Sequence, residues 1–224
     1  MVRRMAKRTP KARPAPKLEY ERELWAKGLV HIAGCDEAGV GPLAGPVVAG
    51  AAIFAPEFTI EGVDDSKTLS HAEHVRLAGE IRKHAVAWGI GEASPEEIDT
   101  LNIHQAGLLA MRRALEALQV RPQHVLLDAR LVPAFRVAQT KIIKGDAKSH
   151  TIGAASILAK AHRDALMVKL DEEYPGYGFA VHKGYPVPAH FEALRRLGAC
   201  AIHRRSYAPV REALGLVPTQ AKLL

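Results

Sequence analysis

Cysteine is nearly absent from the 224 residues: Cys35 and Cys200 are the only two, which excludes a disulfide framework and the paired spacing of a zinc site. No apolar run is long enough to cross a bilayer, and the basic N-terminal stretch has no apolar core to make a signal peptide, so a reduced, cytoplasmic protein without a membrane partner is expected. Aromatic residues make up 5% of the chain, and none lies among the basic residues of the first 17 positions, so no base-stacking platform is written there. No Gly-Lys-Ser/Thr follows Gly39-Val40-Gly41, and Pro42 stands where a phosphate-binding helix would begin, which excludes a P-loop. Acids are also missing before Glu19. The seven cations Arg3, Arg4, Lys7, Arg8, Lys11, Arg13 and Lys17 therefore account for the whole net charge of +7 and leave the remainder balanced. Rich in proline and poor in apolar residues, residues 1–18 are expected to be a disordered basic tail, either attracting phosphates or merely solubilising the chain.

What is present is a 48% hydrophobic chain able to bury one sizeable core, with carboxylates placed where apolar runs stop. Asp36-Glu37 follows the run Leu29 to Cys35 and precedes a two-glycine turn; Asp128 closes His124-Val125-Leu126-Leu127; Asp146 follows Lys141-Ile142-Ile143-Lys144-Gly145. Carboxylates collected from several strand ends suit a hard cation that takes oxygen ligands, Mg²⁺ or Mn²⁺, and four of them suffice for two such cations. In that arrangement one cation activates a water and the other stabilises the leaving oxygen of a phosphodiester. Each acid taken singly reads equally well as a solvated turn residue. Adjacent side chains on a flat strand face opposite ways, so Asp36 and Glu37 share a site only if the strand bends or ends between them.

Alternation of elements points to an α/β fold. Strands are expected at Leu29–Cys35, Val47–Phe54, Ala85–Gly91, His124–Asp128 and Val137–Ile143, the first two as an antiparallel pair. Ser70 with Glu73 signals a capped helix to about His84, and Ser94, Pro95 and Glu97 signal another to about Leu118. A long helix from about Thr151 to Glu173 follows, then short helices near Pro188–Leu197 and Tyr207–Leu214. The division expected is a catalytic core over residues 19–174 and a small helical C-terminal appendage, residues 175–224, facing the substrate. Arg195, Arg196, Arg204 and Arg205 with few acids mark this end as the duplex side, Arg195 and Arg196 reading slightly better as a solvated helix face.

Several further words carry a resemblance. Asp36-Glu37-Ala38-Gly39 with Gly41-Pro42-Leu43-Ala44-Gly45-Pro46, Asp65-Ser66-Lys67-Thr68-Leu69-Ser70, Lys144-Gly145-Asp146-Ala147-Lys148-Ser149, His182-Lys183-Gly184-Tyr185 and His203-Arg204-Arg205-Ser206-Tyr207 occur in the order found in bacterial type 2 ribonucleases H. From about Val30 to Leu214 the chain resembles that family. The resemblance implies a ribonuclease H-like mixed sheet flanked by helices, and an endonuclease that cuts RNA in RNA–DNA hybrids and 5′ of single ribonucleotides in duplex DNA. Products with 3′-hydroxyl and 5′-phosphate ends, and a part in removing ribonucleotides from DNA, come with it. It places the metal-binding and catalytic acids on Asp36, Glu37, Asp128 and Asp146, with two divalent cations, Mn²⁺ or Mg²⁺. It places ribonucleotide recognition on Gly39, Val40, Gly41 and Tyr185. Val40 stands where the family usually has arginine, which removes a fork of donors and points to weaker junction selectivity. A catalytically inactive RNA–DNA duplex-binding module is the rival reading.

Lys67 is read either as a phosphate contact or as the neutraliser of Asp64 and Asp65, and Lys144, Lys148 and Lys160 either as support for substrate or as surface cations. Asp164 is expected on a helix surface, and His182 and His203 in structural or phosphate-contacting roles. A monomer is expected. The last five residues, Gln220 to Leu224, faintly resemble a peptide that docks on a sliding clamp.

Overall fold

Two serines, each with a glutamate three residues on, start the helices that flank the sheet. The structure, a computed structural model, describes residues 17–63 and 69–216. In it the Ser70 and Ser94 hydroxyls accept from Glu73 N and Glu97 N, and both glutamates reach back to the cap backbone. They open α2 (His71–His84) and α3 (Pro95–Leu101). The expected single helix from Ser94 to about Leu118 is in fact two. Asn102 takes φ of 70°, and its Oδ1 accepts from His104 N and Gln105 N, so it ends α3 and caps α4 (Ile103–Glu116). A helix not foreseen, α1 (Glu19–Trp25), precedes the sheet.

The sheet runs in the order β3-β2-β1-β4-β5, with β1 (Ile32–Ala38), β2 (Val47–Ile53), β3 (Ala87–Ala93), β4 (His124–Asp128) and β5 (Ala138–Ile142). The first three strands form antiparallel pairs; β4 and β5 add in parallel beside β1. Every residue of β2 is buried, as expected of a strand covered on both faces. On one face α4 packs against Ala33, Ala49, Ala51 and Val125; on the other lies α5 (His150–Glu173), whose Ile152, Ile157 and Leu158 join two further clusters. Gly34 of β1 and Gly50 of β2 let α5 approach closely: a Cβ on either would stand 2.2–2.3 Å from its backbone. That contact fixes where the strand ends sit relative to the helix.

The first strand was expected at Leu29–Cys35 and instead covers Ile32–Ala38, so Asp36 and Glu37 lie inside it. Its pairing with β2 continues through Asp36↔Gly50, Glu37↔Ala49 and Ala38↔Val48, while its parallel pairing with β4 stops at Cys35↔Leu127. Beyond that point β1 has a neighbour on one side only.

After α5 the chain forms α6 (Phe179–His182), also unforeseen, then α7 (Pro188–Leu197) and α8 (Ala208–Ala213). These return to the loop between β1 and β2: Leu43 N donates to Gly184 O at 2.8 Å, Gly45 N to Ile202 O at 2.9 Å, and Arg204 N to Leu43 O at 2.9 Å. Tyr177, Phe179 and Ala193 pack with Ala44 and Met167 beneath that loop. Among the described residues, no helix is long and apolar enough to cross a membrane.

Candidate active site

At the open end of β1 the two neighbouring acids take opposite faces. Asp36 pairs with Gly50, which faces α5, and its carboxylate accepts from the Ser156 side chain on that helix and from Glu37 N at 2.8 Å. Glu37 pairs with Ala49, which belongs to the cluster under α4. The strand does not break between the two acids. They meet the same space because β4 has ended, and Asp128 is the last residue of β4.

Burial, then the charges of Glu37 and Asp128, push the Asp36 carboxyl up from 3.8 to about 8, against the opposing Ser156 hydrogen bond. Glu37 is raised by burial and by Asp128, with Arg130, whose Nη2 lies 3.9 Å from its Oε1, pulling the other way. Asp36, Glu37 and Asp128 thus feel one another's charge. Asp146 arrives by another route: it is 4% exposed in a 3₁₀ turn, Gly145–Ala147, and Gly145 N donates to Asp128 Oδ1 at 2.7 Å. That bond ties the Asp146 turn to the end of β4.

The fit of this end to divalent cations rests on two observations. Glu37 Oε2 is buried without a hydrogen-bond partner, an orphaned acceptor of the kind a cation satisfies. Burial, and then the like charges around it, favour the protonated form of Asp36, a cost that a bound cation reverses. Among the described residues, no three acids, imidazoles or thiols close around a single metal position. The four carboxylates fit an open site, in which water and phosphate oxygens complete octahedral coordination, rather than an all-protein cage.

Beside the acids lies the glycine turn. Gly39 has φ of +93°, and a Cβ there would stand 2.2 Å from Arg163 Nε; Gly41 is exposed next to the Tyr185 ring, a Cβ there lying 3.8 Å from its Cε1. The Tyr185 ring, 38% exposed, has Lys160 Nζ and Arg163 Cζ each 5.8 Å from its centroid. Val40 turns its side chain inward, against the α4-side cluster with Tyr207, and its carbonyl accepts from Arg204 Nη1 at 3.0 Å and Tyr207 Oη at 2.8 Å. Gly39, Val40, Gly41 and Tyr185 are therefore brought together; Lys67 lies outside the described residues.

Two expectations are corrected. Arg204, read as a substrate-facing cation, is fully buried, donating to the carbonyls of Gly39, Val40, Gly45 and Pro46. Asp164, read as a surface acid, is 7% exposed, bonded to Lys160 Nζ at 2.8 Å and 3.8 Å from His71. Arg163 had no assigned role, yet it donates to Ala44, Pro46 and Lys183 carbonyls from within α5. His203 is structural: its Nε2 meets His190 Nε2 at 3.1 Å, and His190 Nδ1 donates to Tyr185 O at 3.0 Å. Ser156 and Arg130 were also missed, since neither residue type signals a carboxylate neighbour without the fold.

A mixed five-stranded sheet flanked by helices, with acids at the open ends of its central strands, defines a nuclease of the ribonuclease H class. The sequence profile of ribonuclease HII matches residues 33–210, and the chain belongs to that family. It is 58% identical over 223 residues to ribonuclease HII of Anaeromyxobacter sp. (strain Fw109-5), covering 100% of this chain and 71% of that protein. Among solved structures it is similar to ribonuclease H2 of Pyrococcus horikoshii OT3, with TM-score 0.71 and 28% identity over 83% of this chain and 98% of that one. It is similar also to ribonuclease HII of Archaeoglobus fulgidus, solved as a complex with PCNA, with TM-score 0.67 and 26% identity over 80% and 95% of the two chains.

Proposed function

We propose that this endonuclease hydrolyses the RNA strand of RNA–DNA hybrids and incises 5′ of ribonucleotides embedded in duplex DNA, leaving 3′-hydroxyl and 5′-phosphate ends. The observation that carries the reading is the gathering of Asp36, Glu37 and Asp128 at one strand end, where burial and then the neighbouring charges raise Asp36 to about 8 beside an orphaned Glu37 oxygen. Asp36, Glu37, Asp128 and Asp146 would hold two divalent cations, Mn²⁺ or Mg²⁺. Bound there, such a pair supplies a water of lowered pKa and neutralises charge on the leaving oxygen.

The chain's own groups do the rest. Ser156 orients Asp36, Arg130 stands beside Glu37, and the Gly145 N–H fixes Asp128. The 2′-hydroxyl is the local mark of RNA, and exposed Gly41 beside Tyr185 offers backbone and ring to the sugar. Phosphates are the duplex feature read elsewhere, by Lys160 near Tyr185 and by Lys67, so sequence preference should be weak. The working division is a core at 19–174 and a substrate-facing region at 175–224, acting in the cytoplasm.

Cleavage of two labelled duplexes tests this, one with a single ribonucleotide and one a continuous hybrid, with Mg²⁺ or Mn²⁺. Incision of both, lost in Asp36→Asn, is expected; metal-independent binding with no cleavage would support the inactive module instead. The archaeal complex with PCNA suggests a second partner, a sliding clamp engaged through Gln220 to Leu224, residues outside those described. Equal clamp binding by chains with and without them would end that suggestion.

A further inference from the structure

The family match begins at residue 33, yet residues before it are bonded to the turn that carries Asp146. Glu21, in α1, is 1% exposed. Its Oε1 accepts from Ser149 Oγ at 2.6 Å, from Thr151 N at 3.1 Å and from Thr151 Oγ1. Ser149 caps α5 through Ile152 N, and its own N–H donates to Gly145 O at 2.8 Å, closing the 3₁₀ turn of Gly145–Ala147. Lys17 adds two links to the same stretch: its carbonyl accepts from His150 N at 3.0 Å, and its ammonium donates to Ala147 O. Below these bonds Leu24, with Tyr20 and Trp25, packs on Ile32, Leu126, Ile142 and Ile152, residues of the strands and helix that converge on the acids.

A buried carboxylate is costly unless its charge is met. Here one N–H from the first turn of a 24-residue helix and two hydroxyls converge on Oε1, which makes the contact directional, while Oε2 is buried without a hydrogen-bond partner. We infer that Glu21 is a positioning residue for Asp146: through Ser149 and Thr151 it fixes the start of α5 and the turn before it, and so the place where the Asp146 carboxylate is presented. Asp128 is fixed by its strand and Asp36 by strand and helix. Asp146 alone of the four sits in a short turn, so it has most to gain from such a clamp. The inference rests on the reading of Asp146 as a cation ligand.

The test is Mn²⁺ binding to the full chain without nucleic acid, followed by electron paramagnetic resonance of free Mn²⁺, with kcat and KM on the hybrid measured in parallel. Glu21→Ala is expected to weaken Mn²⁺ binding about tenfold, as loss of an outer-shell support does, and to lower kcat with KM little changed. Glu21→Gln keeps an oxygen at the Oε1 position and is expected to restore both. Leu24→Ala, which loosens the same helix by packing alone, should lower the melting temperature while leaving Mn²⁺ affinity intact. Wild-type affinity in Glu21→Ala, or equal weakening in Leu24→Ala at a matched loss of stability, overturns the inference. Should Glu21→Ala fail to fold, Ser149→Ala removes the link from the other side, and unchanged Mn²⁺ affinity there overturns it too. Asp146→Asn separates the two claims: if it binds Mn²⁺ as the wild type does, the ligand reading itself falls.

Discussion

Two buried clusters of like charge adjoin the loop between β1 and β2, and they are treated differently. At the β1 end, Asp36 and Glu37 face Asp128 with Ser156 and Arg130 as modest compensation, and Glu37 Oε2 is left without a hydrogen bond. In the second cluster, burial and then the Arg204 charge lower Arg163 to about 10, and burial lowers Arg204. Their donors are nevertheless spent on carbonyls, from Gly39 and Val40 through Ala44, Gly45 and Pro46 to Lys183, and on Tyr207 Oη. The arginines are part of the scaffold. The acids are left incompletely satisfied where an added cation would complete them, a pattern typical of functional sites rather than cores.

That contrast breaks most sharply at Asp36. Asp36→Asn removes a carboxylate that the cations need and that the metal-free fold must keep protonated, so cleavage is expected to fall by about a thousandfold or more, while the metal-free protein melts about 3–6 °C higher. Activity assays and calorimetry in chelator read the two halves, and a lower melting temperature would refute the idea that this end is under electrostatic load. Arg204→Met is the mirror case. It strands several buried carbonyls, so urea melts should show a loss of about 3 kcal/mol or more.

The pH dependence has a definite sign. Asp36 is raised from 3.8 to about 8, so the folded metal-free protein holds a proton that the unfolded chain has released; its contribution to stability is full below about 4 and is lost as pH rises toward 8. Glu37 shifts the same way. Cations displace that proton, so apparent Mn²⁺ affinity should rise about tenfold per pH unit below 8, measurable by titration at several pH values. The smallest expected effect is at Val40, at the junction of the two clusters. Val40→Arg should raise the ratio of single-ribonucleotide to hybrid cleavage about fivefold, the worth of one added hydrogen bond. An unchanged ratio would remove any role for this position in junction selectivity.

Much of the frame was legible. The bounds of β4 and α7 and the start of α2 matched expectation because each carries a local signal: an apolar run closed by Asp128, proline at the first turn of α7, a capping box at Ser70. The break at Asn102 was not, since an asparagine with positive φ looks, in sequence, like any polar residue on a helix face. The roles of Asp164 and Arg204 were hidden for a related reason. Asp164 sits among Lys160 and Arg163 and reads as a surface salt-bridge member, and Arg204 beside Arg205 reads as a basic patch.

By itself the sequence determined the alternation of strands and helices, the two start signals at Ser70 and Ser94, and which carboxylates close the apolar runs, because these depend on neighbours within a few residues. Tertiary structure alone decided that Asp36 and Glu37 reach one space from opposite faces of an unbroken strand, since that depends on where β4 stops beside β1. It alone decided that Arg204 belongs to a turn 165 positions earlier, and that Glu21 closes on Ser149 across 128. Charge is a property of a residue, but whether that charge is exposed, spent or left waiting depends on partners that only folding brings near.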